Sequence, residues 1–294
     1  MHNYKISVIV PTFNKLNELS LTLNSLINQT VSKEDFEVVI ADDGSSEDVK
    51  SLLRLYPQIN IKYTYQEDKG FRAAKARNMG MLHASGEIYL FIDSGVLLEQ
   101  TCLQKHIDLH LESVEPLVVL GYTFGMNIKS DLDEMRDIID NNTINSAIML
   151  MHERDMIDGR EPLYKEHGDA LYDWPAPWVA LWSLHFSVRS SFLIEKKLSF
   201  DEYFTHWGCE DNDIGIALYK CGGKFVLDRN IKSIHYPSEK RSYDMFKDPS
   251  FKEAFRTNQY YLVNKHQRDD VKMWYEKGMF NVNRLLLEDQ NKIE

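Results

Sequence analysis

Cysteine is scarce in this chain. There are three, Cys102, Cys209 and Cys221, in 294 residues, and no two stand in a CxxC pair. That excludes a disulfide scaffold and a cysteine-rich zinc module, and leaves free thiols in a reducing compartment as the expectation. Long apolar runs are missing too. None approaches the ~18 residues of a bilayer-spanning helix, so no transmembrane segment is expected. The N-terminus runs straight into a strand pattern, without the charged, apolar and small-residue regions of a secretion signal. The expected location is the cytoplasm, with peripheral contact at the inner membrane face as the remaining membrane option. Basic charge is in deficit, with 34 Lys and Arg against 45 Asp and Glu, a formal net charge of −11. A nucleic-acid partner is therefore not expected, since phosphate backbones need a basic surface. A local basic pocket for a phosphorylated ligand remains compatible. Internal repeats, low-complexity tracts and a clear linker are all absent.

What is present is enough apolar material, 43% of residues, for one large α/β core. Ile6 to Val10 is an unbroken β-branched run, the pattern of a strand buried on both faces. Phe36–Ala41, Ile61–Tyr65 and Ile88–Ile92 repeat the theme. Helical spacing fills the gaps at Asn14–Asn28, Val49–Leu55 and Ala73–Ala84. Strand–helix alternation of this kind predicts a mostly parallel sheet with helices on both faces. Residues 96–112 read as a helix, Leu117–Tyr122 and Leu184–Val188 as strands, and Lys224–Leu227 as a short strand. Residues 126–180 break the rhythm and read as an insertion over the open edge of the sheet, on the acceptor side. Residues 1–240 are expected to form one domain and 241–294 a helical extension. The apolar faces of that extension are also a candidate surface for self-association.

In parallel sheets, ligands bind beyond the C-terminal strand ends. Polar clusters fall there: Thr12-Phe13-Asn14, Asp42-Asp43-Gly44-Ser45, Asp93-Ser94-Gly95, and the segment Lys69–Asn78 with its four cations. Asp42–Ser45 taken alone reads equally as a turn and helix cap. Arg72 and Arg77, in the first turns of a helix, are suited to phosphate oxygens. Farther on, Trp207-Gly208-Cys209-Glu210-Asp211 places two acids at a helix start. His106 and His110, four apart, read as a polar helix face. Trp174, Trp178 and Trp182 read as either core packing or sugar-stacking surfaces.

Together these motifs resemble a family 2 glycosyltransferase with the GT-A fold. The resemblance rests on Val8-Ile9-Val10-Pro11-Thr12-Phe13-Asn14, Asp42-Asp43-Gly44-Ser45, Ala76-Arg77-Asn78, Gly86-Glu87 and Ile92-Asp93-Ser94-Gly95. Residues 207–211 resemble the WGGED segment of chondroitin-type polymerases and β-1,4-galactosyltransferases. The resemblance implies transfer of a hexosyl or N-acetylhexosaminyl group from a nucleotide-sugar, UDP-linked by expectation, to a carbohydrate, lipid-linked, peptide or small-molecule acceptor, with inversion. It implies donor contacts from Pro11, Thr12, Asn14, Asp42, Asp43, Arg72, Arg77, Asp93 and Ser94, with Asp42 at the base and Arg77 near the diphosphate. Asp211 becomes the base, Glu210 the group orienting the acceptor, and Trp207 and Trp178 the acceptor platform. It also implies Mn²⁺ or Mg²⁺. Gly95 stands where the family usually has a second acid, so Asp93 and His235 are the expected metal contacts. Two rivals remain at the level of sequence. A nucleotidyltransferase would want a Gly-rich loop after the first strand, which Pro11–Lys15 does not supply. A catalytically silent nucleotide-sugar or glycan-binding relative would tolerate Gly95 but has no need of Asp93 and Glu210-Asp211.

Overall fold

The structure, a computed structural model, describes residues 4–127, 130–237 and 247–292. The first half runs β1 (Tyr4–Thr12), α1 (Leu16–Ile27), β2 (Phe36–Asp42), α2 (Val49–Leu53), β3 (Asn60–Tyr65), α3 (Ala73–His83), β4 (Gly86–Ile92) and β5 (Val96–Leu98). There follow α4 (Cys102–Glu112), β6 (Leu117–Phe124), α5 (Leu132–Asp140), α6 (Ile144–Glu153) and α7 (Glu161–His167). Then come β7 (His185–Arg189), α8 (Ser190–Lys196), α9 (Glu210–Lys220), β8 (Lys224–His235), α10 (Pro249–His266), α11 (Asp269–Lys277) and α12 (Val282–Gln290).

All eight strands join one sheet in the order β3-β2-β1-β4-β7-β6-β8-β5. β3, β2, β1 and β4 are parallel neighbours, so their C-terminal ends share one edge. β7 then runs antiparallel to both β4 and β6, making the sheet mixed in its second half. Burial on both faces explains the unbroken apolar strands. On β1, Val8 and Val10 face one core with α1 and α4, while Ile9 faces the other with α3 and α9.

The apolar run stops at Val10, yet β1 runs on to Thr12, with Pro11 opposite Ala41. Pairing with β4 has stopped by then, at Ile9–Phe91, so no ladder bond needs the missing N–H. Residues 96–112 are not one helix, because Val96–Leu98 pairs with β8. The short strand at Lys224–Leu227 is the start of a twelve-residue strand. It is irregular opposite Gly121/Tyr122, which hid its length in the sequence pattern. α6 packs on β6 and β8 within the sheet, and the methyl ends of Met135 and Met151 close on Gly125 at the end of β6.

The expected boundary at residue 240 and the start of the helical tail lie outside the described residues. Leu262, Val271, Trp274 and Val282 of α10–α12 are buried in the same core as the sheet. The three cysteines are free thiols, Cys102 and Cys209 buried and Cys221 half-buried. No helix among the described residues is long and apolar enough to cross a membrane.

Candidate active site

The turn after β4 sets the first acid in place. Asp93 N–H reaches back to the Leu184 carbonyl at 3.4 Å. Ser94 is buried, and its hydroxyl donates to the Pro11 carbonyl at 2.9 Å, so this side chain fixes the turn to β1. Gly95 has φ of +98° and donates its N–H to Thr22 Oγ1. A second acid there would hold a backbone that L side chains rarely adopt. The local turn thus explains the missing carboxylate.

The second pair of acids is set by two successive left-handed residues, Gly208 at φ +94° and Cys209 at φ +80°. A Cβ on Gly208 would meet the Phe255 ring at 2.7 Å. The reversal starts α9 at Glu210, with Glu210, Asp211 and Asp213 all in its first turn, where the helix dipole favours negative charge.

One guanidinium joins the two motifs. Arg77, on α3 and buried, donates to Asp93 Oδ1 at 2.8 Å and to Glu210 Oε1 at 3.3 Å. Burial works against its charge, but Asp93 and Glu210 outweigh that and raise its pKa. Asp211 sits beside this bridge. Its pKa is pushed up to about 7, first by burial and then by the Glu210 charge. A carboxyl titrating near neutrality among other charged groups is the profile of a general base.

The donor-side residues line up along the same edge. Asp42 is buried, its Oδ1 accepting from Gly44 and Ser45 N–H and its Oδ2 from the Tyr63 hydroxyl at 2.8 Å. The turn-cap reading of Asp42 is therefore realised. Asp43 accepts from Gln66 at 2.6 Å and from the Arg72 N–H at 2.8 Å, and pairs with the Arg72 guanidinium at 3.2 Å. Asn14, at φ +49°, accepts from Ser46 N–H and so ties the β1 loop to the β2 loop. Both arginines expected at phosphates are thus held by carboxylates. Thr12 Oγ1, Gln66 Oε1, Arg72 Nε, Arg77 Nε and Glu210 Oε2 are buried without a protein partner. Five such atoms along one edge point to a polar ligand.

His235 ends β8 opposite Val96, and the next residue, Tyr236, donates its N–H to Gly95 at 2.8 Å. Burial lowers the imidazole pKa, with the nearby Asp93 carboxylate pulling the other way. The Asp93 carboxylate thus lies close enough to His235 to act on it electrostatically.

Trp207 is 37% exposed and lies against Phe251 and Phe255 of α10, 5.5 and 6.0 Å between ring centroids. Trp178 is different, and its expected acceptor role is corrected. It has no exposed surface, packs edge-on to Trp274, and donates its indole N–H to Asp270 at 3.0 Å. No sugar can stack on it. His106 and His110 likewise leave the expected polar face and turn inward, at 0% and 1% exposure.

Several positioning residues had no local sequence signal. Asp213 is bound by His266 Nε2 and Lys265 Nζ, both at 2.8 Å, from the end of α10. Lys265 also reaches Asp201 at 2.7 Å. Asn258 donates to the His206 and Gly208 carbonyls, holding the turn before Glu210. Asn78, beside Arg77, exchanges two hydrogen bonds with the Phe200 backbone. The Asn78 position was visible within Ala76-Arg77-Asn78; the α10 contacts were not.

Residues 7–157 match the Glycosyl transferase family 2 model, just over half of the chain. The chain belongs to glycosyl transferase family 2. It is 32% identical over 237 residues to validoxylamine A glucosyltransferase of Streptomyces hygroscopicus subsp. jinggangensis, covering 80% of this chain and 56% of that one. It is 29% identical to chondroitin synthase of Escherichia coli, over 75% of this chain and 33% of that one. The chain thus spans about half the length of the curated relatives it first matches. Among solved structures, residues 1–349 of S. aureus TarS in complex with UDP-GlcNAc superpose with a TM-score of 0.65 at 21% identity, covering 96% of this chain and 74% of that one. Mannosyltransferase PcManGT from Pyrobaculum calidifontis, in complex with GDP-Man and Mn²⁺, gives 0.60 at 15%, covering 100% and 77%. The fold is that of the GT-A glycosyltransferases.

Proposed function

We propose that this chain transfers a sugar from a nucleotide-sugar, UDP-linked, to an acceptor hydroxyl, inverting the anomeric carbon in one in-line displacement. The observation that carries the reading is Arg77, which brings the strand-end acid Asp93 and the helix-start acids Glu210 and Asp211 into one site. The relatives are named as sugar transferases, and a structural neighbour is a UDP-GlcNAc complex.

In this mechanism the acceptor hydroxyl oxygen attacks the anomeric carbon and its proton passes to Asp211. The bond from that carbon to the diphosphate oxygen breaks, and the nucleotide leaves with the electron pair. Thr12 and Asp42 border the nucleotide base. Glu210 orients the acceptor, and Trp207 offers it an apolar face. Arg77 balances one of the Asp93 and Glu210 charges, so the unliganded site stays negative. That balance suits a cation better than a bare diphosphate, and a carboxylate with an imidazole suits Mn²⁺ or Mg²⁺. Asp93 and His235 would hold the ion, which when bound supplies positive charge for the leaving diphosphate. Residues 1–240 serve as the glycosyltransferase domain, residues 126–180 as its acceptor-side insertion and residues 241–294 as its helical extension.

The test is a panel of nucleotide-sugars with and without Mn²⁺, read by mass spectrometry, with product configuration read by NMR. Donor-dependent product of inverted configuration is expected. Binding of donor with neither hydrolysis nor transfer across the panel would favour a silent binding protein. A retained configuration would rule out the single displacement.

A further inference from the structure

Behind the donor edge lies a second cluster that the transfer reaction does not use. Cys102 and His106, four apart on α4, meet His185 at the start of β7. All three have no exposed surface, and their ligand atoms lie within 4.8 Å of one another. Cys102 Sγ is 3.5 Å from His185 Nε2, and His106 Nε2 is 3.1 Å from the same nitrogen. A tetrahedral ion about 2.3 Å from sulfur and about 2.0 Å from nitrogen sets S···N at about 3.5 Å and N···N at about 3.3 Å. These two separations match that arrangement, and the third pair lies within 4.8 Å.

The surroundings match as well. The two Nε2 atoms are neighbours, and each Nδ1 is directed outward. His106 Nδ1 lies 2.8 Å from Ser187 Oγ, and His185 Nδ1 lies 2.9 Å from Ser233 Oγ. Those hydroxyls pass on to His110 Nε2 at 2.8 Å and Thr123 Oγ1 at 2.9 Å. Metal-bound imidazoles are oriented by such outward bonds from the other ring nitrogen. Gly121 makes room for the ring, since a Cβ there would fall 2.2 Å from His185 Cε1.

We propose that Cys102, His106 and His185 form a buried Zn²⁺ site with three protein ligands, distinct from the donor-side cation. One thiolate and two imidazoles, with no carboxylate, select a borderline-soft ion over Mg²⁺. The site pins α4 to the sheet just behind the reaction edge. His185 is paired with Ile92, the residue before Asp93. Ser233 lies two residues before His235. A buried site of this kind loads during folding, and its binding energy adds to stability.

Elemental analysis of protein expressed with Zn²⁺ and purified without chelator or nucleotide tests the idea. The expected result is a single equivalent of tightly held Zn²⁺. Replacement by Co²⁺ should give a thiolate charge-transfer absorption, which no oxygen- or nitrogen-only donor site produces. Both signals should vanish in Cys102→Ser and persist in Cys221→Ser. If Cys102→Ser does not fold, His106→Gln read by the same absorption takes its place. Wild-type protein that carries no Zn²⁺ and gives no thiolate band on Co²⁺ titration would overturn the proposal. So would a band that survives Cys102→Ser.

Discussion

Asp211 carries a conflict that two measurements can read. As a base it must be ionised, yet burial and the Glu210 charge favour its protonated form, with a pKa of about 7. Transfer should therefore fall as pH drops through about 7 and level off above it. Glu210→Gln removes the like charge and should move that limb to lower pH. A limb unmoved in the variant would free Asp211 from this coupling. The sign for stability is opposite. A carboxyl whose folded pKa exceeds its unfolded value of about 3.9 is bound more tightly to its proton in the native state. Stability is then lost as pH rises from about 4 to about 7. Asp211→Asn should cost roughly 10²–10⁴-fold in transfer while raising the melting temperature above neutral pH. Transfer within tenfold of wild type would remove it from the mechanism. The two tryptophans should separate in the same way. Trp178→Phe removes one of the donors to Asp270, which keeps Arg268, and should cost about 1–3 kcal/mol of stability with acceptor KM unchanged. Trp207→Ala should raise acceptor KM several-fold with little change in melting. The reverse pattern would exchange their roles.

At the scale of elements, the base is only as well placed as α9. That helix begins on a strained turn and is tied at its first turn to the end of α10, through Asp213 with His266 and Lys265. The pair is buried on the Asp213 side, so breaking it leaves donors facing a void in place of an acceptor. Asp213→Ala should cost about 3 kcal/mol in urea denaturation, and kcat should fall more than donor affinity. Loss of stability with kcat intact would mean that α10 braces the fold without positioning the base. The bulged β8 has a comparable task, since it carries His235 back beside the Asp93 turn.

Across the whole molecule, net charge and site charge act together. A chain of net charge −11 with two carboxylates sharing one buried arginine is poorly disposed to a bare nucleotide diphosphate. Excess EDTA should therefore abolish transfer, and Mn²⁺ should bind mainly together with UDP. His235→Ala should weaken Mn²⁺ more than Mg²⁺, because imidazole suits Mn²⁺ better. Titrations of each ion with and without UDP would show it, and full activity in EDTA would remove the metal from the reading.

The α/β class, the first four strands and the ligand edge were legible in the sequence, because strands buried on both faces are apolar without interruption and ligand loops are polar. The acids Asp93, Glu210 and Asp211 were legible for the same reason, each standing at the end or start of a periodic run. Tertiary structure alone decided the rest. It alone shows that Arg77 spends its charge on two carboxylates, and that Trp178 and the histidines of α4 turn inward. It alone closes β5 and the long β8 onto the sheet and brings α10 to the base helix. Those outcomes depend on contacts between residues more than fifty positions apart, as Arg77 with Glu210, Trp178 with Asp270 and Asp213 with His266. No local propensity or periodicity encodes such pairs. Gly95 belongs to both levels: its absent carboxylate was plain from the sequence, and the left-handed backbone that requires glycine was visible only in the fold.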